Sequence, residues 1–454
     1  MRPRAWNASK RSLGGLYVGA FCLAWSYGAT AQGLSDNVSR LAGSASVFTG
    51  VTHTRTDRAE STETNTEPGV GVSGQIGGTL ESGANALALR YGGTLETDRE
   101  TIDGGDGNNT SVTGASRYTY FDPGSRVDFN LGHTISSVRN NTGFELNPSS
   151  YDTENTLSAG AGLRFYPGKL TTLRFTGQAG RSYGDDYIGD QKSYTLGSEL
   201  TRRLSDRSTG GLNLSRSWSD ERGTDITIDT AQLVYSLQME SGYFRIGAGG
   251  SQAESEYSDG TISENEAVTG FAERAWVASN WRTAVKYDRS LSDSATELSL
   301  NQSPVFPLLP EAGTIRLRGL VIEDSLSISH NNRLVCDACN LGVYAKGALL
   351  ESQNSGDKTH EYRAGVNLGF QLTSLQRLSF GYSWEADANE DADVIVDQIH
   401  RFNTSWTRQI AENTTFGVEF YQSYLRSKLA RDDQDQFELR LVLSRGFSMT
   451  GARK

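Results

Sequence analysis

Residues 126–135 read Arg-Val-Asp-Phe-Asn-Leu-Gly-His-Thr-Ile, and their alternation decides the fold. Val127, Phe129, Leu131, His133 and Ile135 form one set, and Arg126, Asp128, Asn130, Gly132 and Thr134 the other. A period of two sends the sets to opposite faces of a β-strand. One face suits lipid and the other water. The same split recurs in Leu157, Ala159, Ala161, Leu163 and Phe165 against Ser158, Gly160, Gly162 and Arg164. It returns in Tyr362, Ala364, Val366, Leu368, Phe370 and Leu372, in Leu378, Phe380, Tyr382 and Trp384, and in Phe437, Leu439, Leu441 and Leu443.

The connectors between these stretches alternate in kind. Short ones occur at Glu81 to Ala84, Asp122 to Gly124, Tyr166 to Gly168, Ser205 to Arg207, Ala278 to Asn280, Thr373-Ser374 and Ala411 to Asn413. Longer, acidic ones occur at Asp57 to Glu67, Asp98 to Thr110, Asn140 to Tyr151, Gly184 to Asp190, Ser255 to Glu266, Gln353 to Thr359, Glu385 to Asp393 and Lys428 to Gln436. Tight turns on one side and long loops on the other are the habit of outer-membrane barrels. The expected fold is therefore all-β: a transmembrane antiparallel up-and-down barrel of about 18–20 strands, the range turning on one hairpin near residues 320 to 350.

Upstream, Arg2, Arg4, Lys10 and Arg11 precede an apolar run from Leu13 to Ala29 and then Ala29-Thr30-Ala31. That order predicts a signal peptide over residues 1–31, removed on export. The run is broken by four glycines and a serine, which counts against a membrane anchor. Residues 32–43 read as a short periplasmic segment, 44–449 as the barrel and 450–454 as a periplasmic tail. No plug, helical repeat or passenger domain is expected from so short an N-terminal segment.

Composition supports export to a membrane through strands. Fifty glycines, eight prolines and 36% hydrophobic residues are too polar for a helical membrane protein. After loss of the signal, 39 Lys+Arg face 54 Asp+Glu, a balance that excludes nucleic acid as a partner. Aromatic residues at strand ends, Tyr120-Phe121, Phe165-Tyr166, Trp276, Trp281, Trp384 and Phe447, read as anchors at the headgroup level. A soluble sandwich would bury too little with so many long strands.

The face opposite the apolar sets carries the functional expectation. It holds Arg90, Arg126, Arg164, Arg174, Arg203, Arg245, Arg282, Lys286, Arg363, Arg377, Arg401 and Arg440 against Asp128, Glu199, Asp288, Glu385, Glu419 and Glu438. Charges near the lipid midplane cost a few kcal/mol, so these side chains are assigned to the lumen. A locally basic wall would guide anions or acidic saccharides. Alternatively, the arginines pair with the carboxylates and brace a wide wall.

Cys336-Asp-Ala-Cys339 lies in the connection Asn331 to Asn340, and an exported chain favours a disulfide there. Two further zinc ligands are not found nearby, so no metal or other cofactor is expected. The segment Asn301 to Thr314 holds three of the eight prolines and reads as the longest external loop. Its Val305, Phe306, Leu308 and Leu309 either fold into the mouth as a constriction or lid, or pack on the rim. The five histidines are isolated, and no His-Glu-x-x-His motif is present, so no enzyme is expected.

The stretch Leu163-Arg-Phe-Tyr-Pro-Gly168, followed by Leu196-Gly-Ser-Glu-Leu-Thr-Arg-Arg-Leu-Ser-Asp206, resembles the exopolysaccharide-associated outer-membrane barrels of the PEP-CTERM-system-associated type. The Pro-bearing segment before Arg316, leading into Val321-Ile-Glu-Asp-Ser-Leu-Ser-Ile-Ser329, is similar to the late barrel region of that family. The pair Cys336/Cys339 departs from it. The resemblance implies export of an exopolysaccharide across the outer membrane, with outer-membrane lipid, polysaccharide and periplasmic and inner-membrane export components as partners and no catalytic residues. A general diffusion porin, or a barrel enzyme acting on polymer or lipid, would share the same architecture.

Overall fold

The strand pattern read from the sequence is realised in a computed structural model, which describes residues 40–57, 61–97, 109–122, 124–139, 151–184, 190–221, 223–293, 320–332, 339–353, 356–388, 394–428 and 433–448. Strands β1 (Arg40–Asp57), β2 (Thr62–Ser82), β3 (Asn85–Thr97), β4 (Asn109–Phe121) and β5 (Val127–Arg139) come first. They are followed by β6 (Tyr151–Gly168), β7 (Thr171–Gly184), β8 (Gln191–Arg203), β9 (Ser208–Glu221) and β10 (Thr224–Met239). Next come β11 (Gly242–Glu256), β12 (Ile262–Val277), β13 (Trp281–Asp293), β14 (Leu320–Asn332) and β15 (Cys339–Ser352). The chain finishes with β16 (Lys358–Thr373), β17 (Gln376–Ala388), β18 (Ile395–Ala411), β19 (Thr414–Ser427) and β20 (Asp433–Ser448). Each strand pairs antiparallel with the next, and β1 pairs with β20, from Ala42 opposite Ser448 to Asp57 opposite Asp433. The 20-stranded ring is thus closed, leaving no free edge between first and last strands. The hairpin near residues 320 to 350 is present, as β14 and β15.

The two faces follow the sequence alternation. Val47, Val51, Leu131, Leu157, Leu233, Leu326, Leu439 and Leu441 lie on the outside, exposed in the absence of lipid. Ladder partners share a face, so Val47 opposite Leu443 and Leu131 opposite Ala159 build a continuous apolar belt. Rings cluster near its two rims. On the periplasmic side Tyr120 stacks on Phe129 at 5.4 Å and Phe165 meets Phe175 edge-on at 6.0 Å. Towards the other rim Tyr362 stacks on Trp384 at 6.4 Å and Phe402 meets Tyr424 at 6.2 Å. Phe121 departs from the expected girdle: it pairs with Asp128, so it faces the lumen while Tyr120 faces lipid.

The strands run to between 13 and 21 residues, longer than the roughly 9–11 that span a bilayer. This shortens several expected loops. β2 already starts at Thr62, β11 continues to Glu256, β17 reaches Ala388 and β20 starts at Asp433. Much of the acid assigned to loops therefore stands on strand ends that project beyond the membrane, where pairing continues in water. The barrel also begins earlier than expected, since Arg40 already pairs with Thr79. The turn expected at Tyr166-Pro-Gly168 falls two residues later, at Lys169-Leu170, after a register shift between Phe165 and Gly168. A proline without a ladder donor is tolerated at such an irregularity. Between β9 and β10 the external connector is tight, with Gly223 at φ +82°, a left-handed conformation that glycine adopts without strain.

On the inner face glycine makes room for its neighbours. Phe48 lies across Gly71, Phe271 across Gly247 and Tyr344 across Gly365, each where a Cβ would collide with the ring. Large rings from one strand thus cover the bare backbone of the next, which accounts for part of the glycine content. Gly71→Val is expected to displace Phe48 and lower stability by about 1–3 kcal/mol, read from the urea midpoint of the refolded barrel. An unchanged midpoint would refute this packing.

Candidate functional site: the lumen wall

Parity along the ladders places Arg90, Arg164, Arg174, Arg203, Arg245, Arg282, Lys286, Arg363, Arg377, Arg401 and Arg440 on the inner face. Arg126 lies instead in the β4–β5 turn, one residue before β5, where its carbonyl accepts from the Arg164 amide at 2.7 Å. Cys339 is disulfide-bonded at the start of β15. Its expected partner Cys336 lies outside the described residues, as do Val305, Phe306, Leu308 and Leu309 and residues 1–31, where the signal peptide is expected.

The inner arginines are organised by carboxylates. Asp128 on β5 receives Arg164 of β6 at 2.5 Å and Arg174 of β7 at 2.7 Å, one carboxylate holding three strands together. This triad lies over Gly162, where an added Cβ would come within 2.7 Å of Asp128 Oδ1. Further round, Lys286 meets Asp288 at 3.0 Å, Lys346 meets Glu323 at 2.6 Å, Arg363 meets Glu361 at 3.3 Å and Arg401 meets Glu385 at 2.6 Å. Arg440 pairs with Glu438 and spreads over the Phe48 ring at 4.8 Å. Arg245 stands 3.7 Å from Glu273, which also accepts a hydrogen bond from the Tyr243 hydroxyl at 2.6 Å.

This pairing alters the expected charge balance. The expectation of two basic groups for each acidic one omitted inner-face carboxylates, namely Glu63, Glu67, Glu81, Glu154, Glu273, Glu323, Glu361, Asp387 and Asp397. It also omitted Arg117 and Lys346. With these added, base and acid on the described inner face stand near parity. Each could have been found by extending the alternation from its strand neighbours. Glu273, for example, keeps step with Phe271 and Ala275, but those apolar neighbours disguise a lumen face as a lipid one.

Between the ion pairs the wall is hydroxyl, amide and ring. Ser46 bonds Ser444 at 2.7 Å, Ser379 bonds Ser405 at 2.6 Å, and the Gln232 amide donates to Thr269 at 3.1 Å. Arginines lie against lumen rings: Arg164 over Phe121 at 4.6 Å, Arg245 over Phe271 at 5.4 Å, and Arg440 over Tyr421 at 5.7 Å as well as Phe48. A cavity of about 80 Å³ opens on the same face among Arg117, Asn130, Ser158, Gln178, Ser193 and Thr195. All five histidines share the outer face. His133 accepts or donates at 2.8 Å to Tyr91, His330 at 2.7 Å to Thr283 and His400 at 3.0 Å to Tyr382. His53 bonds Thr66 at 2.7 Å, and His360 stacks on Tyr362. None of them lines the lumen.

No protein-family model matches the sequence, and no curated protein matches it. Solved structures with related architecture include the FrpB iron transporter from Neisseria meningitidis, 9% identical, with 88% of this chain and 81% of that one covered at a TM-score of 0.45. They also include the ferric-catecholate import receptor Fiu from E. coli in its open form, 10% identical, covering 91% and 82% at 0.47. A third is OccK5 (OpdH) from Pseudomonas aeruginosa, 13% identical, covering 90% and 98% at 0.36. Such distant likeness says nothing about cargo. The closed ring, its apolar outer belt between aromatic rims and its polar inner wall make this chain a transmembrane β-barrel of the bacterial outer membrane.

Proposed function

We propose that the barrel is a passive pore through which a hydrated saccharide polymer leaves the cell, the export role implied by its resemblance to exopolysaccharide-associated barrels. The observation that carries this reading is the inner wall itself, where charge-paired arginines alternate with hydroxyls, amides and the lumen rings Phe121 and Phe271. Because the charges are largely mated, the wall offers many exchangeable hydrogen bonds without a strong field of either sign. Sugars present hydroxyls at their edges and C–H groups on their faces. Paired guanidinium groups and hydroxyls meet the first, and aromatic faces meet the second.

A polymer would then pass by trading equivalent, weak contacts, as conduction requires that binding be loose enough to release. The purified barrel in a planar bilayer is expected to conduct and to be blocked by neutral as well as acidic oligosaccharides. Phe271→Ala should weaken that block about 2- to 10-fold, the worth of one aromatic contact. A current indifferent to oligosaccharide would replace this reading with a general diffusion porin.

A further inference from the structure

The ion pairs of the inner wall leave one polar cluster unengaged. Arg117 on β4, Asn130 on β5, Ser158 on β6, Gln178 on β7 and Ser193 and Thr195 on β8 line the small lumen cavity. Register brings them together. Arg117 stands opposite Gly132, Gly132 opposite Ser158, Ser158 opposite Gly180 and Gly180 opposite Ser193, one row across neighbouring strands. The next inner row towards the periplasm runs Asn130, Gly160, Gln178, Thr195. At Gly160 an added Cβ would come within 2.6 Å of Asn130 Oδ1 and 3.3 Å of Gln178 Cγ. The two carboxamides can therefore flank the floor of the cavity only because no side chain stands between them.

Among the described residues, none of these polar side chains is hydrogen-bonded or ion-paired to another. Their bonding capacity faces the cavity. Arg117 differs in this from the paired cations of the wall, because its ladder neighbours on the inner face are Ala88 and Gly132. Asp128, further along β5, is already divided between Arg164 and Arg174 and offsets the charge of only one of them. Arg90 stands opposite Ala115, diagonally across from Arg117. The field around the cavity is thus positive, in a wall that is near balance as a whole.

We propose that this cavity is a recognition subsite for an acidic sugar unit, a uronate, within the exported polymer; it rests on the pore reading above and narrows its cargo. A carboxylate is planar and accepts from both prongs of one guanidinium, a geometry that a lysine ammonium does not match. Beside that fork, Asn130 and Gln178 each donate and accept, as do the hydroxyls of Ser158, Ser193 and Thr195. They can follow sugar hydroxyls in either sense. At about 80 Å³ the cavity has room for a few water-sized groups, so it takes a carboxylate and a neighbouring hydroxyl while the ring stays in the lumen. Arg117 itself is exposed to the lumen, which keeps the contact in exchange with water. A chain held by one edge of one unit is recognised without being trapped, as passage requires.

The test uses the full barrel with trigalacturonate as the acidic probe and maltotriose as the neutral one. Binding is read by isothermal titration calorimetry in detergent, and block of the current in a planar bilayer. Arg117→Gln is expected to weaken trigalacturonate in both readouts about 10-fold, the loss of one charge-assisted fork, and to leave maltotriose unchanged. Arg117→Lys, which keeps the charge without the fork, should remain about 3-fold weaker than the parent. Gln178→Ala withdraws a neutral partner common to both sugars and should weaken each about 2- to 5-fold. Trigalacturonate that binds the Arg117→Gln barrel as well as the parent overturns the subsite and leaves the pore reading standing. Full recovery in Arg117→Lys, with no effect of Gln178→Ala, reduces the cavity to a diffuse field and also overturns it. Displacement of trigalacturonate by inorganic phosphate at equal concentration overturns the uronate assignment in favour of a general anion site. Binding that depends on Arg117 in a barrel whose current neither sugar blocks supports the subsite and removes the export pore.

Discussion

Leu441→Arg should cost the folded barrel about 2–4 kcal/mol, the price of a cation on the lipid face near the midplane. Leu441 stands in the middle of β20, opposite Thr49 of β1 and Val418 of β19, and is 44% exposed on the outer surface. No carboxylate stands directly opposite it on either neighbouring strand, so the guanidinium would have to reach a headgroup or deform the bilayer. The matched control is Gln178→Arg on β7, whose side chain lines the small polar cavity of the lumen and should shift stability by no more than about 0.5 kcal/mol. Urea unfolding of both variants in liposomes gives the comparison. Equal midpoints for the two would mean that the inner and outer faces have been assigned the wrong way round.

Asp128→Asn should destabilise the barrel by about 1–3 kcal/mol and make its current more anion-selective. The stability loss is set below the cost of breaking a fully buried pair because the lumen side chains retain solvent, with Arg174 36% exposed. One carboxylate serves two guanidinium groups, so its removal unpairs Arg164 and Arg174 together while the amide keeps the same shape. The selectivity change follows from charge: two cations lose their single counter-charge on the lumen wall. Reversal potentials under a salt gradient measure it, and the shift should fade as ionic strength rises and screening shortens. If stability falls with no movement of the reversal potential, the triad braces the wall without contributing to the field in the pore.

Much of the fold was legible because alternation is local. Val127 to Ile135, or Leu157 to Phe165, announces its two faces whatever strand lands beside it, and the closed ring shows those faces as read. Errors arose where local signals compete. Pro167-Gly168 looks like a turn, yet the ladder absorbs it with a register shift and turns at Lys169-Leu170. Phe121 follows Tyr120 and shares its chemistry, but adjacent strand residues point opposite ways. Acidic runs such as Asp433 to Gln436 look like loop because they are polar on both faces, which is also how a strand looks once it has left the membrane.

The sequence by itself determined the all-β class, the short turns, most strand positions and which residues of a strand share a face, since each depends only on neighbours within a few positions. Tertiary structure alone decided what stands opposite them. Asp128 reaches Arg164 and Arg174 across two hairpins, Glu323 meets Lys346 and Glu273 meets Arg245 and Tyr243 from neighbouring strands, partnerships that only strand pairing reveals. Leu291, Leu320 and Ile322 have the parity of the lipid-facing Tyr287 and Leu326, yet they are buried in one cluster with Ile226, Ile228 and Ala253, a grouping further still from the alternation. Parity ranks the two sides of one strand. It carries no information about which side chains of other strands meet them, because that is set by ladder hydrogen bonds and apolar packing over the whole ring.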